Sequence, residues 1–176
     1  MTDNKGAAIA AVTQGSYRID PNKSQVRYSG KHMFGLGTVH ATLSVKGGEL
    51  RIGEPLATSN ATVIVDAASF SSHNARRDRD VRSAGLLDVD KYPDITFASD
   101  ILQETGDDWL VTGTVTAHGH TVPVEVRIDR VAHEDIGIRL HGRAEHLDRT
   151  AFGITSSRGM VGRHLDLELD VFAFLV

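Results

Sequence analysis

Thr38-Val39-His40-Ala41-Thr42-Leu43-Ser44-Val45 alternates without a break, with Val39, Ala41, Leu43 and Val45 on one face and Thr38, His40, Thr42 and Ser44 on the other. Successive side chains of a strand point to opposite faces, so this is a β-strand with one apolar and one wet side. The same rhythm recurs in both directions. Upstream, Val26, Tyr28, Gly30 and His32 share a face opposite Gln25, Arg27, Ser29 and Lys31. Downstream come Val63 and Val65, then Ile95 to Ile101, Trp109 to Ala117, Val124 to Ile128, Ile136 to Ala144 and Leu165 to Val171, each apolar or small at every second position. Gly47-Gly48 reads as a hairpin turn, and Gly106-Asp107-Asp108 and His118-Gly119-His120-Thr121 as further turns. About eight short, one-sided strands result, and an antiparallel sheet of that kind must pack on a second sheet or close on itself. The inward positions include Gly30, Ala41, Ser99, Gly113, Ala117, Gly142 and Ala144. Such slender residues favour an all-β, eight-stranded antiparallel barrel with room for one small ligand over a solid sandwich.

One stretch breaks the rhythm. Between Asn74, a helix-capping residue, and Gly85, a helix-ending one, lie Arg76, Arg77, Arg79 and Arg82 with Asp78 and Asp80. Leu86 and Leu87 follow as an apolar pair, and Pro93 forces extended chain into Ile95-Thr96-Phe97. The segment reads as a short basic helix laid as a cover over the β-scaffold, between its middle strands.

The 176 residues are 40% hydrophobic and 24% charged, with a formal net charge of −4, which fits one globular domain and argues against nucleic acid as partner. Cysteine is absent, so disulfides, thiolate chemistry and cysteine-bound zinc are excluded. Residues 1–15 read as a flexible tail before a domain over 16–176. The apolar run Ala7 to Val12 is too brief for a signal-peptide core, which leads to the expectation of a cytoplasmic protein.

Four motifs in order carry a family likeness. They are Ile19-Asp20-Pro21 with Ser24 and His32; Arg77-Asp78 with Ser83, Leu87, Tyr92-Pro93 and Ile95-x-Phe97-x-Ser99; Val111-x-Gly113 with Gly119-x-Thr121-x-Pro123-Val124; and Asp148-Arg149 with Phe152-Gly153-Ile154 and Val161-Gly162. Together they resemble the YceI-like family, the lipocalin-like polyisoprenoid-binding proteins of bacteria, over roughly residues 17 to 173. The resemblance implies an extended, lipocalin-like barrel, often dimeric, whose tunnel takes up a long isoprenoid chain such as a polyprenyl pyrophosphate or a quinone tail. No cofactor is expected beyond a bound isoprenoid lipid or quinone.

On this footing the expected tunnel lining is Val26, Tyr28, Val39, Ala41, Leu43, Phe97, Trp109, Val111, Val115, Leu140, Leu167 and Leu169, which could equally pack a filled core. Arg76, Arg77 and Arg79 could orient a pyrophosphate or quinone head group, or the helix is solvated and Arg77 and Asp78 pair with neighbours to pin the cover. His32 and Arg149 could contact a head group or serve as satisfied buried polar groups, while Leu86 and Leu87 would form the inner side of the cover. The expected function is non-enzymatic binding, storage or transport of a long isoprenoid or similar amphiphilic lipid, with transient membrane contact and a homodimer as expected partners. Two other readings stay open: a lipid-modifying enzyme using His32 and Asp78, and a structural or stress-related barrel without a ligand. His118-x-His120 invites a metal reading, but the intervening glycine turn breaks the shared face that two strand histidines need.

Overall fold

The computed structural model describes residues 9–176. Among them nine strands run β1 (Gly15–Ile19), β2 (Gln25–His32), β3 (Gly37–Ile52), β4 (Asn60–Asp66), β5 (Asp94–Thr105), β6 (Asp108–Ala117), β7 (His120–Glu134), β8 (Gly137–Asp148) and β9 (Val161–Leu175), with one α-helix, α1 (Ala75–Arg82). All pairings of these strands are antiparallel, in the order β1-β3-β2-β9-β8-β7-β6-β5-β4, and β4 returns to β3 to close the ring. β1 and β2 both lie between β3 and β9, β1 against Glu49–Ile52 and Ala173–Leu175, β2 against Gly37–Ser44 and Val161–Asp170. They form one stave broken at the 3₁₀ turn Pro21–Lys23, so the barrel is eight-stranded as the alternation predicts.

Two expectations about the strands change. Gly47-Gly48 is not a hairpin: β3 runs through it for 16 residues, and the register with β4 slips between Val45 and Gly47. Both glycines have φ near 155°, far from the values a two-residue hairpin needs, and a Cβ on Gly48 would sit 2.1 Å from the Thr62 carbonyl oxygen. The pair therefore makes a β-bulge where two backbones approach closely, and the inward set moves from Val39, Ala41, Leu43 and Val45 to Leu50 and Ile52. A second bulge, between Ser99 and Ile101, turns Ile101 outward and puts Leu102 in its place. With β7 and β9 at 15 residues each, the strands are long rather than short, and the barrel is a deep one.

The tail expected over 1–15 splits. Its first eight residues lie outside the described ones, and from Ile9 the chain is held along β7, with Ala10 N–H donating to the Val131 carbonyl.

The cover begins as the capping pattern predicts but ends earlier, Ser83 and not Gly85 closing the helix. Asn74 accepts from the Arg77 N–H at 3.0 Å, and the helix ends at Arg82, with Ser83 as its C-cap. Asp78 is buried and accepts from both the N–H and the hydroxyl of Ser72, at 2.9 and 2.5 Å. Arg77 donates from Nε to the Ser72 hydroxyl and from Nη2 to its carbonyl, and Arg82 donates to the Phe70 carbonyl. The segment so fixed bonds in turn to β3 through Ser71 and Thr42. Beyond the helix, Leu86 packs with Ala117, Phe152 and Ile154 to seal that end of the barrel.

Candidate ligand-binding tunnel

Alternation places an apolar side chain inward at every second position, and here those side chains do not meet in the middle. They enclose two compartments. The larger, of about 190 Å³, lies under the cover; the smaller, of about 90 Å³, lies deeper toward the opposite end. One ordered water needs roughly 10–15 Å³ on the same scale, so the larger compartment is far beyond a packing defect. Val63, Phe97, Val126 and Leu169 line both compartments and form a waist between them.

Ten of the twelve expected lining residues are found on these walls. Val26, Tyr28, Leu43, Val115 and Leu167 face the larger compartment, Trp109, Val111 and Leu140 the smaller, and Phe97 and Leu169 both. Val39 and Ala41 do not line either. They are buried where β3 runs beyond its pairing with β4, and the Ser71 segment bonds to β3 there instead. Residues not singled out from the sequence complete the wall, chiefly Val65, Phe70, Val81, Val124, Phe152 and Ile154. Val124 and Val126 already showed the inward phase; Phe70, Phe152 and Ile154 lie in turns, where no periodicity could mark them. Tyr28 stands edge-on to Phe70, centroids 5.5 Å apart, and its hydroxyl fills the space that the absent Gly30 side chain leaves.

The polar candidates separate sharply. Leu86, Leu87 and Arg149 line the larger compartment. Arg76 and Arg79 are exposed, and Arg77 and Asp78 are engaged with Ser72, so none of these reaches the tunnel. His32 also stays off the walls: a register slip after Gly30 turns it aside, and its ring lies over Gly37. His118 and His120 stack on each other at 5.9 Å, His118 bonded to the Phe152 carbonyl and His120 to the His118 carbonyl, within the turn they flank.

Among the described residues Arg149 is the one charged residue on the tunnel wall. It opens the 3₁₀ turn Arg149–Phe152 and is 5% exposed. Its Nε, Nη1 and Nη2 donate to the carbonyls of Gly162, Ile154 and Val161 at 2.9, 2.9 and 3.1 Å. Among the described residues no carboxylate pairs with it. Its neighbour Asp148 is taken up by Arg163 and Thr150, which hold that carboxyl well below the usual range. Burial lowers the Arg149 pKa, and burial likewise raises that of Tyr28, against the opposing pull of the Arg149 charge. Burying a cation without a counter-charge costs several kcal/mol, and hydrogen bonds to carbonyls offset only part of it. A guanidinium has five N–H donors, and two remain after the three carbonyls are served.

A match to the YceI-like domain spans residues 17–173. The chain belongs to the YceI-like family. The protein YceI of Escherichia coli O17:K52:H18 is 28% identical, the alignment covering 94% of this chain and 88% of that protein. Among solved structures, BcnA of Burkholderia cenocepacia superposes with a TM-score of 0.76 at 21% identity, over 88% of this chain and 98% of that one. A domain from Saccharophagus degradans, described as polyisoprenoid-binding and implicated in plant cell wall breakdown, gives 0.66 at 13% identity over 93% and 100%. These likenesses establish the closed antiparallel barrel of this YceI-like chain as the fold of its relatives.

Proposed function

We propose that this YceI-like protein is a non-enzymatic carrier of a lipid with a long isoprenoid tail and an anionic or strongly hydrogen-bond-accepting head group. One observation carries the reading: a deep, apolar, two-compartment tunnel holds a single charge, Arg149, at the covered end, with N–H donors to spare. The tail lies past the waist of Val63, Phe97, Val126 and Leu169 into the smaller compartment, and the head group meets Arg149 beneath Leu86 and Leu87. At ~25 cal/mol per Å² of buried apolar surface, each enclosed prenyl unit contributes more than a typical hydrogen bond. The walls offer Tyr28 and Arg149 as their titratable groups and no acid–base pair, which favours carriage over catalysis. The description of the Saccharophagus domain as polyisoprenoid-binding supports the same ligand class. Exchange with a membrane and a homodimer belong to this proposal.

Mass spectrometry of an organic extract of the purified protein tests it. A co-purified prenyl lipid is expected, together with a rise in melting temperature on adding polyprenyl pyrophosphate to delipidated protein. An empty extract with no thermal shift would sink the carrier reading.

A further inference from the structure

The barrel has two unlike ends. At the covered end the β2–β3 turn exposes Met33, Phe34 and Leu36, the last two 81% and 86% exposed, and Met160 lies exposed beside them. These residues form one patch, because the Met33 and Phe34 N–H groups donate to the carbonyls of Met160 and Gly159, and the Phe34 ring packs on Gly159. Met33 and Phe34 both hold left-handed backbone, φ 50° and 56°, a conformation unfavourable for residues with a Cβ. Isolated surface hydrophobes are ordinary, but four on two hydrogen-bonded turns are not.

The charges on these two turns have one sign. Residues 31–42 and 149–165 contain no acid, and Lys31 and Arg158 are exposed there, while Arg163 is paired with Asp148 and the acids of this end, Asp80, Asp88 and Asp90, belong to the cover. At the opposite end the three connecting turns carry Glu54, Asp107 and Asp135 and no base. An apolar tip flanked by Lys31 and Arg158, with acidic turns at the far end, matches a bilayer surface bearing anionic head groups: the apolar side chains enter the acyl boundary and the bases meet phosphates.

The patch also connects to the tunnel. The three carbonyls that receive Arg149 belong to Ile154, Val161 and Gly162, the two ends of the loop that presents Met160. The same loop touches the cover, where the Ser156 hydroxyl donates to the Gly85 carbonyl.

We infer that the Met33–Leu36 tip and Met160, with Lys31 and Arg158, form a membrane-docking surface that sets the covered end of the barrel against an anionic bilayer. The inference rests on the carrier reading for its purpose, and it names the partner from which the lipid is exchanged.

Sedimentation of the full chain with phosphatidylglycerol-containing and pure phosphatidylcholine vesicles tests it. Binding to the anionic vesicles is expected, reduced at least tenfold by Phe34→Ser combined with Leu36→Ser, and reduced by Arg158→Glu, with melting temperature unchanged because these side chains are exposed. Both variants should still take up polyprenyl lipid from detergent as the parent does, which separates this surface from the tunnel. No binding to anionic vesicles overturns the docking surface and leaves the carrier reading to its own extract test. If the Phe34 and Leu36 variant binds vesicles undiminished but loses self-association in light scattering, the patch is an interface between copies and the membrane assignment is overturned.

Discussion

Arg149 was visible in the sequence as a basic residue three places before Phe152-Gly153, yet neither its burial nor its lack of a carboxylate partner could be read there. Both depend on Asp148 facing Arg163 across β8 and β9, which is a matter of strand register, and on a loop folding its carbonyls inward. The arginines that the sequence made prominent, Arg76 and Arg79, are exposed, because a capped helix turns its charged residues to water unless something beneath needs them. If Arg149 anchors an anion, Arg149→Met should lower affinity for a polyprenyl pyrophosphate roughly ten- to hundredfold, the worth of about 1.5–3 kcal/mol for a hydrogen bond to a charge. Affinity for the uncharged polyprenol should hardly change. Arg149→Lys, which keeps the charge and loses the fork, should fall between the two, and a fluorescent-lipid competition assay measures all three. Equal losses for the charged and uncharged lipids would mean that Arg149 only shapes the loop.

The elements were legible to different depths. Thr38–Val45 and Leu165–Val171 announce their inward faces, and ten lining residues followed from alternation joined to family likeness. What alternation cannot show is a bulge: the extra residue at Lys46, and again at Asp100, reverses the phase without any change in composition, and glycines there look like turns. The cover was read from Asn74 and from the leucine pair, but its fastening by Asp78 to Ser72 was one of two alternatives until the contacts were seen. That fastening carries a pH signature. Burial would raise the Asp78 carboxyl, but the hydrogen bonds from Ser72 and the charges of Arg82 and Arg77 more than offset it and hold the pKa below its ordinary 3.8. The stabilisation is therefore complete above pH 3.8 and fades as pH falls through the lower, folded-state value. Asp78→Asn should cost roughly 2–3 kcal/mol at neutral pH in urea denaturation. The gap to the parent should narrow at pH below 3.8, where the parent loses the same charge. A gap of constant size across that range would show that the carboxylate charge is not what fastens the cover.

At the scale of the whole molecule the question is whether the two compartments act as one. Neither alone encloses a long chain, and Val63, Phe97, Val126 and Leu169 are the passage between them. Barrel closure makes this possible: the staves are long enough to stack two layers of inward residues, and Ala144 and Gly142 keep the wall thin beside the waist. Val126 sits on β7 opposite Val111, in the ordered middle of the sheet, so a larger side chain there intrudes on the passage rather than moving a loop. Val126→Phe should fill the waist while leaving Arg149 and the part of the larger compartment beneath Leu86 and Leu87 in place. Short-chain prenyl pyrophosphates should then bind as they do to the parent, while longer ones lose affinity with each unit that no longer passes. At ~0.8 kcal/mol per buried carbon the loss approaches about 4 kcal/mol for each excluded five-carbon unit, before the chain finds another path. Titrating a series of chain lengths against parent and variant separates the possibilities: affinity that rises with length in the parent and levels off in the variant means one continuous tunnel. Parallel curves would place the tail elsewhere, because a chain that never crosses the waist cannot feel a ring inserted there.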